Sequence, residues 1–397
     1  MEKLAINGGT PVYTGTFPRW PQWGKKEEEN LLKALDSGRW GTLGPFATSF
    51  SKRFADYLGV THAIAVNSGT QAIELILRGA GIGRGDEVIV SPSTFAATVS
   101  AIAYVGAMPV FADIDWRTGN LAPEAAELCI TARTKAIIAV HVGGYPCNME
   151  QLKLLAERYG LLLIEDCAHA HGSAWESRRC GSLGDAAAFS FQRSKVLPCG
   201  EGGMITTSND DLFKRCWEFH HSGRVLGANT SLACNTVMGT NGRMAEWEAA
   251  ILDAQMDRLD EQCAHRQESI RLLMAGLADV PGVILPPDDK RITALSGFLF
   301  QFIWNGTADR ADFLKAICAE GIPCTAGYVL LNTMGMMTDP AFERMTGRKY
   351  EQNTRVPAAE WLAQHSIFIN NPVLLADFEV IAKVVEGIKK VATALED

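Results

Sequence analysis

Lys195 is the residue whose position most clearly suggests chemistry, because it lies four residues beyond the apolar run Ala186–Phe191, which predicts a buried strand. A lysine close to a buried strand loses solvation, so its pKa falls and its neutral amine can attack an aldehyde. The glycines of Gly200–Gly203 allow another backbone or a ligand to approach closely. The alternative interpretation is a lysine on a solvent-exposed loop, without a chemical role.

Asp166 follows directly on the apolar run Leu161–Glu165, and a carboxylate at such a place needs a cationic or hydrogen-bonding partner. The segment after it also contains histidines, so a metal site is the rival interpretation. Its ligands would be Asp166, His169, His171 and either His220 or His221. Positions 169 and 171 do not share a helical face, and we therefore expect no metal.

Ser68, Gly69 and Thr70 stand between the apolar run Ala63–Val66 and a helical pattern. A turn from a strand into a helix presents free backbone N–H groups and the positive end of the helix dipole, which suits a phosphate. The alternative is simple capping of the helix by a hydroxyl group.

Phe95 comes after the run Glu87–Val90, where its ring could stack on a flat ligand or belong to the core. The glycine-rich stretch Gly79–Gly85 lies between the helical pattern Thr70–Arg78 and the run Glu87–Val90. It lacks the dinucleotide-binding spacing, and it comes after a helix rather than a strand. We interpret this stretch as a helix end and a turn. The sequence therefore lacks the fingerprint expected of a nicotinamide-dependent sugar reductase, which is an alternative enzyme class for an α/β chain.

Taken together and in this order, these side chains fit one cofactor, pyridoxal 5′-phosphate. Three residues would bind its phosphate group: Gly69, Thr70 and Ser190. Phe95 would stack on the ring, and Asp166 would keep the ring nitrogen protonated so that the ring can withdraw electrons. Lys195 would form the Schiff base and then move a proton between Cα and C4′.

The elements that must position these residues alternate between strand and helix from about residue 60 to 208. The predicted strands are Ala63–Val66, Glu87–Val90, Pro109–Ile114, Ala136–Val142, Leu161–Glu165, Ala186–Phe191 and Met204–Thr207. The helical patterns between the first five are Thr70–Arg78, Thr94–Val105, Pro123–Cys129 and Met149–Tyr159. This alternation predicts an α/β fold with a mostly parallel seven-stranded sheet that helices cover on both faces, and ligands of such sheets bind where the strands end.

After Thr207 the alternation stops, and the remaining patterns predict a smaller α+β domain. They are a helix over Asp210–His221, a long helix over Met244–Ala278, a strand over Phe298–Trp304 and helices over Arg310–Glu320 and Phe378–Ala394. We place the domain boundary inside the long helix. Residues 1–255 would then form an N-terminal segment and a large ligand-binding domain, and residues 256–397 a small C-terminal domain.

Composition limits the class of protein. Of 397 residues 47% are hydrophobic, and the net charge of −8 disfavours sequence-independent binding to nucleic acid. The sequence has no uninterrupted apolar stretch of about 18 residues, so we expect no membrane span. The first residues contain no signal peptide, so we expect a cytoplasmic protein whose ten cysteines are free thiols.

The strings NSGT at Asn67–Thr70, EDCAHAHG at Glu165–Gly172 and FSF-x3-K-x4-GEGG at Phe189–Gly203 resemble the DegT/DnrJ/EryC1/StrS family. The resemblance extends over about residues 5 to 390. This family comprises sugar and cyclitol aminotransferases with the aspartate aminotransferase (type I) fold. The resemblance implies a homodimer with active sites shared between subunits. Three roles follow from it: Asn241 of the partner chain on the phosphate, His169 close to the cofactor, and Trp40, within Trp40–Pro45, at the acceptor site.

The resemblance also implies the reaction. Leu4–Val12 (LAINGGTPV) and the string AHAHG are similar to a branch with scyllo-inosose aminotransferases and 3-amino-5-hydroxybenzoate synthases. We expect transfer of an amino group from L-glutamate or L-glutamine to a keto-sugar or keto-cyclitol in two stages. Arg243 is a candidate for binding the donor's α-carboxylate, because a guanidinium group can bind a carboxylate through two hydrogen bonds.

Two alternatives remain open within this resemblance. One is a coupled dehydration and aromatisation, as in the aminohydroxybenzoate synthases. The other is a non-catalytic relative that binds the cofactor and serves as a partner protein. Relatives in the family that act as dehydratases have histidine in place of the lysine, so the presence of Lys195 favours amino transfer.

Overall fold

The structure, a computed structural model, describes residues 3–41, 44–227, 235–351 and 355–396. Thr42 and Leu43, in the segment expected at the acceptor site, lie outside the described residues. The α-helices are α1 Lys25–Asp36, α2 Pro45–Leu58, α3 Gly69–Gly79, α4 Ala96–Tyr104, α5 Pro123–Leu128, α6 Met149–Tyr159, α7 Asp210–His220, α8 Glu246–Gln255, α9 Leu259–Leu277, α10 Arg310–Ala319, α11 Pro340–Thr346, α12 Pro357–His365, α13 Asn371–Leu374 and α14 Phe378–Glu396. The strands are β1 His62–Val66, β2 Glu87–Val90, β3 Met108–Phe111, β4 Thr134–Val140, β5 Leu162–Asp166, β6 Ala174–Trp175, β7 Arg178–Arg179, β8 Ala186–Ser190, β9 Gly203–Thr207, β10 Val283–Ile284, β11 Ile292–Ala294, β12 Leu299–Trp304, β13 Cys324–Ala326 and β14 Ser366–Asn370.

The central sheet has seven strands in the order β1–β9–β8–β5–β4–β2–β3. Strands β2, β3, β4, β5 and β8 pair in parallel, whereas β9 runs antiparallel to both of its neighbours, β1 and β8. Strand β1 therefore points the same way as β8, and the carboxyl ends of six strands meet at one edge of the sheet. The prediction of an α/β fold with a mostly parallel seven-stranded sheet is confirmed.

Successive residues of β4 enter two different apolar cores, which explains why its last five residues, 136–140, are all apolar. Ile137 and Ala139 pack in one core with helices α2, α6 and α8. Ile138 and Val140 pack in the other core with helices α3, α4 and α7. Side chains of a strand alternate between the two faces, so a strand that is covered on both faces is apolar at most of its positions.

Helix α6 shows why the predicted bounds Met149–Tyr159 match the structure. The Asn148 side chain accepts a hydrogen bond from the N–H of Gln151 and caps the first turn. Gly160 ends the helix with φ 63°, a left-handed conformation that glycine adopts without strain. Both signals are local and therefore readable in the sequence.

Two predicted strands extend too far. The run Pro109–Ile114 forms a strand only up to Phe111, and the run Ala136–Val142 only up to Val140. Beyond Val140 the chain turns sharply, because Gly143 has φ 66° within a short 3-10 turn. Apolar character alone does not reveal this turn.

The long helix predicted over Met244–Ala278 is in fact two helices. Helices α8 and α9 are joined by a 3-10 turn, Met256–Arg258. Around this turn the side chains of Gln255 and Arg258 both donate hydrogen bonds to the carbonyl of Gln22, in the segment before α1. These tertiary contacts favour a local change in helical geometry, and helix periodicity does not report it.

The remaining part of the chain forms a four-stranded antiparallel sheet in the order β10–β12–β14–β13. It packs with α9, α10 and α14 around a third core that includes Leu273, Phe302 and Val384. The elements of this part that were not predicted are strands β10, β11, β13 and β14 and helices α11, α12 and α13. Helix α8 ends at Gln255, and the division of the chain at that residue stays a prediction.

The cysteines in the described part of the chain are free thiols, and most of them are buried. None of the helices that the structure describes has the length and apolar character needed to cross a membrane.

Candidate active site

A cavity of about 590 Å³ opens at the edge of the sheet where the parallel strands end. It extends from the turn after β1, past the end of β5, to the loop after β8. Eight of the predicted site residues line it: Ser68, Gly69, Thr70, Phe95, Asp166, His169, Ser190 and Lys195. The structure therefore brings together residues from several turns that are far apart in sequence.

One end of the cavity is formed by the first turn of α3 and the end of β8. Ser68 caps the helix by accepting a hydrogen bond from the N–H of Gln71 at 3.2 Å. The N–H groups of Gly69 and Thr70 belong to the first helical turn, where no intrahelical acceptor exists. A Cβ on Gly69 would lie 2.8 Å from the Cβ of Ser190, so only glycine lets that serine approach the helix. Hydroxyl groups and helix N–H groups converge here, as an anion site requires.

Asp166 lies at the base of the cavity with 6% of its surface exposed. The hydroxyl of Thr98 donates a hydrogen bond to its Oδ2 at 2.8 Å, and the N–H of Ala168 donates to its Oδ1 at 3.1 Å. Both carboxylate oxygens are thus held in place, and the side chain can present its charge in a fixed direction.

Lys195 lies on the loop after β8, with a partly buried side chain. Its Nζ lies 4.7 Å from the ring centroid of Phe298. Burial lowers the pKa of the Lys195 amine to about 8, although the negative charge of Asp166 acts in the opposite direction. A substantial fraction of this amine is therefore neutral at slightly alkaline pH, and a neutral amine is a nucleophile.

His169 is buried, and its ring stacks on that of Phe298 with centroids 4.1 Å apart. The N–H of Gly143 donates to Nδ1 at 3.3 Å, and Nε2 lies 3.3 Å from the hydroxyl oxygen of Tyr328. Burial, and then the positive charge of Lys195, hold the pKa of His169 well below its usual range. The imidazole is therefore neutral, with its proton on Nε2 because Nδ1 accepts the backbone hydrogen bond.

Phe95 stands on the wall of this cavity with 62% of its surface exposed. An exposed aromatic ring beside a cavity is available to stack on a flat ligand. The alternative interpretation of Phe95 as a core residue is wrong, because its ring does not belong to any of the apolar cores of the described chain.

Three predicted residues do not line this cavity within one chain: Trp40, Asn241 and Arg243. Trp40 is 54% exposed and donates its indole N–H to the carbonyl of Leu35. Asn241 pairs through its backbone with His221. Arg243 lines a different cavity, and its Nη1 lies 3.3 Å from the Oγ of Ser222.

The residues of the cavity that the sequence analysis missed include Thr98, Phe298 and Tyr328. Thr98 stands one turn along the helix after Phe95, and this spacing was a signal that could have found it. Phe298 and Tyr328 come from the C-terminal part of the chain and contact His169 only through tertiary structure. Nothing in their local sequence distinguishes them from core aromatic residues.

Glu165, the acid next to Asp166 in sequence, has a structural role. Glu165 is fully buried and accepts hydrogen bonds from the N–H groups of Gly181, Leu183 and Gly184 and from Nε2 of His141. These bonds occupy both carboxylate oxygens, and they lower the pKa of Glu165 against the effect of burial. Glu165 thus connects β5 to the turn before β8.

The metal ligands considered from the sequence do not converge. Among the residues described, the ligand atoms of Asp166, His169 and His171 do not all lie within 4.8 Å of one another. The group that meets this distance is His141, Glu165 and Cys167. The carboxylate of that group already accepts hydrogen bonds from three backbone N–H groups and from Nε2 of His141.

A mostly parallel seven-stranded sheet with a lysine, a carboxylate and a helix N-terminus around one cavity at its carboxyl edge fits an aminotransferase of the type I fold. The chain belongs to the DegT/DnrJ/EryC1/StrS aminotransferase family, whose sequence model matches residues 21–389. The aminotransferases of this family are pyridoxal phosphate enzymes. The predicted family and enzyme class are confirmed.

Relatives of the chain include two proteins named L-glutamine:2-deoxy-scyllo-inosose aminotransferase. The one from Streptoalloteichus tenebrarius is 34% identical, with 98% of this chain and 97% of the relative covered. The one from Streptomyces kanamyceticus is also 34% identical, with 98% and 96% covered. Among solved structures, 3-amino-5-hydroxybenzoic acid synthase superposes with a TM-score of 0.88 at 30% identity, covering 96% of this chain and all of that chain.

Proposed function

We propose that this protein is a pyridoxal 5′-phosphate-dependent aminotransferase that moves an amino group from L-glutamine or L-glutamate to a keto-cyclitol or a related keto-sugar. The names of the two 2-deoxy-scyllo-inosose aminotransferases support the substrate class, and L-glutamine is the donor that both names give. The reaction would run in two stages, with the donor's keto product leaving before the acceptor binds.

The single observation that carries the proposal is the cavity around Lys195. Its amine, with a pKa of about 8, shares one cavity with the Asp166 carboxylate and with the first turn of α3. The close approach of Gly69 to Ser190 brings hydroxyl and N–H groups together at one end of this cavity. A phosphate site, a carboxylate and a poised amine are the three groups that pyridoxal phosphate needs from a protein.

Each residue would then have one task. When bound, pyridoxal phosphate supplies an aldehyde that accepts amino groups and a ring that withdraws electrons. Ser68, Gly69, Thr70 and Ser190 would bind the phosphate group. Phe95 would cover the ring, and Asp166 would hold a proton on the ring nitrogen. His169, which lines the same cavity, would contact the cofactor.

Lys195 would hold the cofactor through its amine and later act as the general base and acid. Its lowered pKa is close to physiological pH, where a group can both take and return a proton efficiently. We assign to it the movement of a proton between Cα of the amino donor and C4′ of the cofactor.

We further propose a homodimer in which each site takes residues from both chains. Trp40, Asn241 and Arg243 lie away from the Lys195 cavity of their own chain, which is compatible with a role in the partner's site. Asn241 would contact the phosphate, Arg243 would bind the donor carboxylate through its guanidinium fork, and Trp40 would border the acceptor.

A spectral half-reaction tests the proposal. The holoprotein is mixed with L-glutamine, L-glutamate or, as a control, L-alanine, and loss of its visible absorbance is followed. Keto-cyclitols and keto-sugars are then added, and the substrate that restores the band is the acceptor. The Lys195→Ala variant should show neither the original band nor turnover. A wild-type protein that does not respond to any donor would refute amino transfer and indicate a non-catalytic relative.

A second candidate function is a dehydration with aromatisation, and the similarity to the structure of 3-amino-5-hydroxybenzoic acid synthase favours it. The two functions differ in what they consume. Amino transfer consumes an amino donor in equal amounts with the acceptor, whereas dehydration releases an aromatic product without a donor. Ultraviolet absorbance of the product together with quantification of L-glutamine separates them.

A further inference from the structure

The loop that carries Lys195 is held from outside by two side chains that are distant in sequence. The indole N–H of Trp20 donates to the carbonyl of Lys195 at 3.1 Å. The Nδ2 of Asn371 donates to the carbonyl of Ser194 at 2.9 Å. Trp20 precedes α1, and Asn371 is the first residue of α13, so the two contacts reach the loop from opposite ends of the chain.

These two carbonyls belong to consecutive peptide units. The Ser194 carbonyl lies in the peptide unit before the Cα of Lys195, and the Lys195 carbonyl lies in the unit after it. Because peptide units are planar, fixing both of them fixes the direction in which the Lys195 side chain leaves the backbone. Within the loop, the side chain of Gln192 accepts hydrogen bonds from the N–H and the hydroxyl of Ser194.

Both donors are themselves anchored. The guanidinium of Arg266 lies over the ring of Trp20 at 4.9 Å, and Arg266 is fully buried. No carboxylate in the part of the chain that the structure describes forms an ion pair with Arg266, so the ring face is a favourable partner for its charge. Asn371 is 2% exposed and follows strand β14 directly.

We propose that Trp20 and Asn371 are positioning residues that aim the Lys195 amine into the cavity. Neither side chain lines that cavity, so both act through the backbone of the loop. A displacement of a reacting group by about 1 Å can lower a rate about 100-fold, and a loop held at two neighbouring carbonyls resists such a displacement. The consequence for catalysis rests on the proposed function, whereas the control of the amine's position does not.

The most specific variant is Trp20→Phe. It keeps an aromatic ring under Arg266 but removes the N–H that donates a hydrogen bond to the carbonyl of Lys195. We expect kcat to fall about tenfold while KM for both substrates changes less than about twofold, because only the placement of the amine is altered. Asn371→Ala should act in the same direction. The matched control is Trp23→Phe, since Trp23 is 75% exposed.

A second measurement does not depend on the reaction. The cofactor-free full-length chain is treated with limiting acetic anhydride, and acetylation of Lys195 is quantified by mass spectrometry against the exposed Lys25. In Trp20→Phe we expect the relative rate to rise about threefold or more, because a loosened loop exposes the amine. Unchanged acetylation of Lys195 in both Trp20→Phe and Asn371→Ala would overturn the inference. An equal rise in the control Trp23→Phe would also overturn it. A wild-type protein without turnover would refute the proposed function and leave this second measurement to decide.

Discussion

Asp166 shows how a single carboxylate is prepared for a role at the bottom of a cavity. Its two oxygens accept hydrogen bonds from a hydroxyl on α4 and from a backbone N–H two residues on. Its position at the end of a strand covered on both faces removes most of the surrounding water. A charge that is fixed and desolvated interacts more strongly with a cation beside it than the same charge in water.

Replacing Asp166 with Asn should lower kcat about 100-fold, since a neutral amide cannot keep the ring nitrogen of the cofactor protonated. The fold should persist, because the amide oxygen can still accept a hydrogen bond from Thr98. Steady-state kinetics with L-glutamine and the acceptor identified by the half-reaction measure the effect.

The control for this substitution is Thr98→Val, which removes one hydrogen bond but leaves the charge in place. Its kcat should fall no more than about tenfold. An Asp166→Asn protein that retains a third or more of the wild-type kcat contradicts the assigned role.

Residues whose roles depend on a strand end or a local turn could be predicted from the sequence. Lys195, Asp166 and Gly69 each follow an apolar run within a few residues, so the alternation of strands and helices brings them to one edge. Tyr328 could not be predicted, because its contact with His169 depends on how the C-terminal part of the chain packs. A role across two subunits, such as the one expected for Asn241, follows from the family resemblance and not from the strand and helix pattern of one chain.

At the scale of elements, the first turn of α3 and the end of β8 together shape the anion end of the cavity. The two elements meet closely because position 69 has no side chain. A Cβ there would also lie 3.2 Å from the carbonyl oxygen of Phe189, so neither neighbour could give way without moving the strand.

Gly69→Ala should therefore weaken binding of pyridoxal phosphate about tenfold or more, since overpacking at a tight contact typically costs about 1–3 kcal/mol. Titration of the cofactor-free protein, followed by visible absorbance, gives the dissociation constant. Gly335→Ala is the matched control, because a Cβ at that glycine meets no atom within 4 Å. Equal affinities in the two variants would argue against a phosphate site at this turn.

Element bounds were predictable where a side-chain cap or a glycine marks them, as at both ends of α6. They were not predictable where distant residues decide them. The break between α8 and α9 coincides with side-chain contacts to Gln22, which is more than two hundred residues away in the chain. Strands β13 and β14 likewise exist because they pair with each other and because β14 also pairs with β12, not because of a local pattern.

For the whole molecule, the proposal of shared active sites makes a prediction about mixed dimers. Lys195→Ala and Asn241→Ala subunits are each expected to be inactive alone. Mixed in equal amounts, half of the dimers would be hybrids, and each hybrid would contain one intact site. About a quarter of wild-type activity should therefore return.

A matched mixture tests the logic. Lys195→Ala with Asp166→Asn should recover no activity above that of the separate variants, because both residues line the cavity of one chain. If the mixture with Asn241→Ala also recovers nothing, while each protein forms dimers, Asn241 does not act across the interface.

The reversed strand β9 has a consequence for how the protein is made. In the central sheet, β1 pairs with β9 alone, and β9 follows every other strand of that sheet in sequence. A nascent chain that has not yet reached Gly203 therefore carries β1 with both of its hydrogen-bonding edges open in this sheet. Unpaired edges invite association with other chains, so ribosome-bound fragments ending before β9 form the stage of synthesis at which a chaperone is most needed.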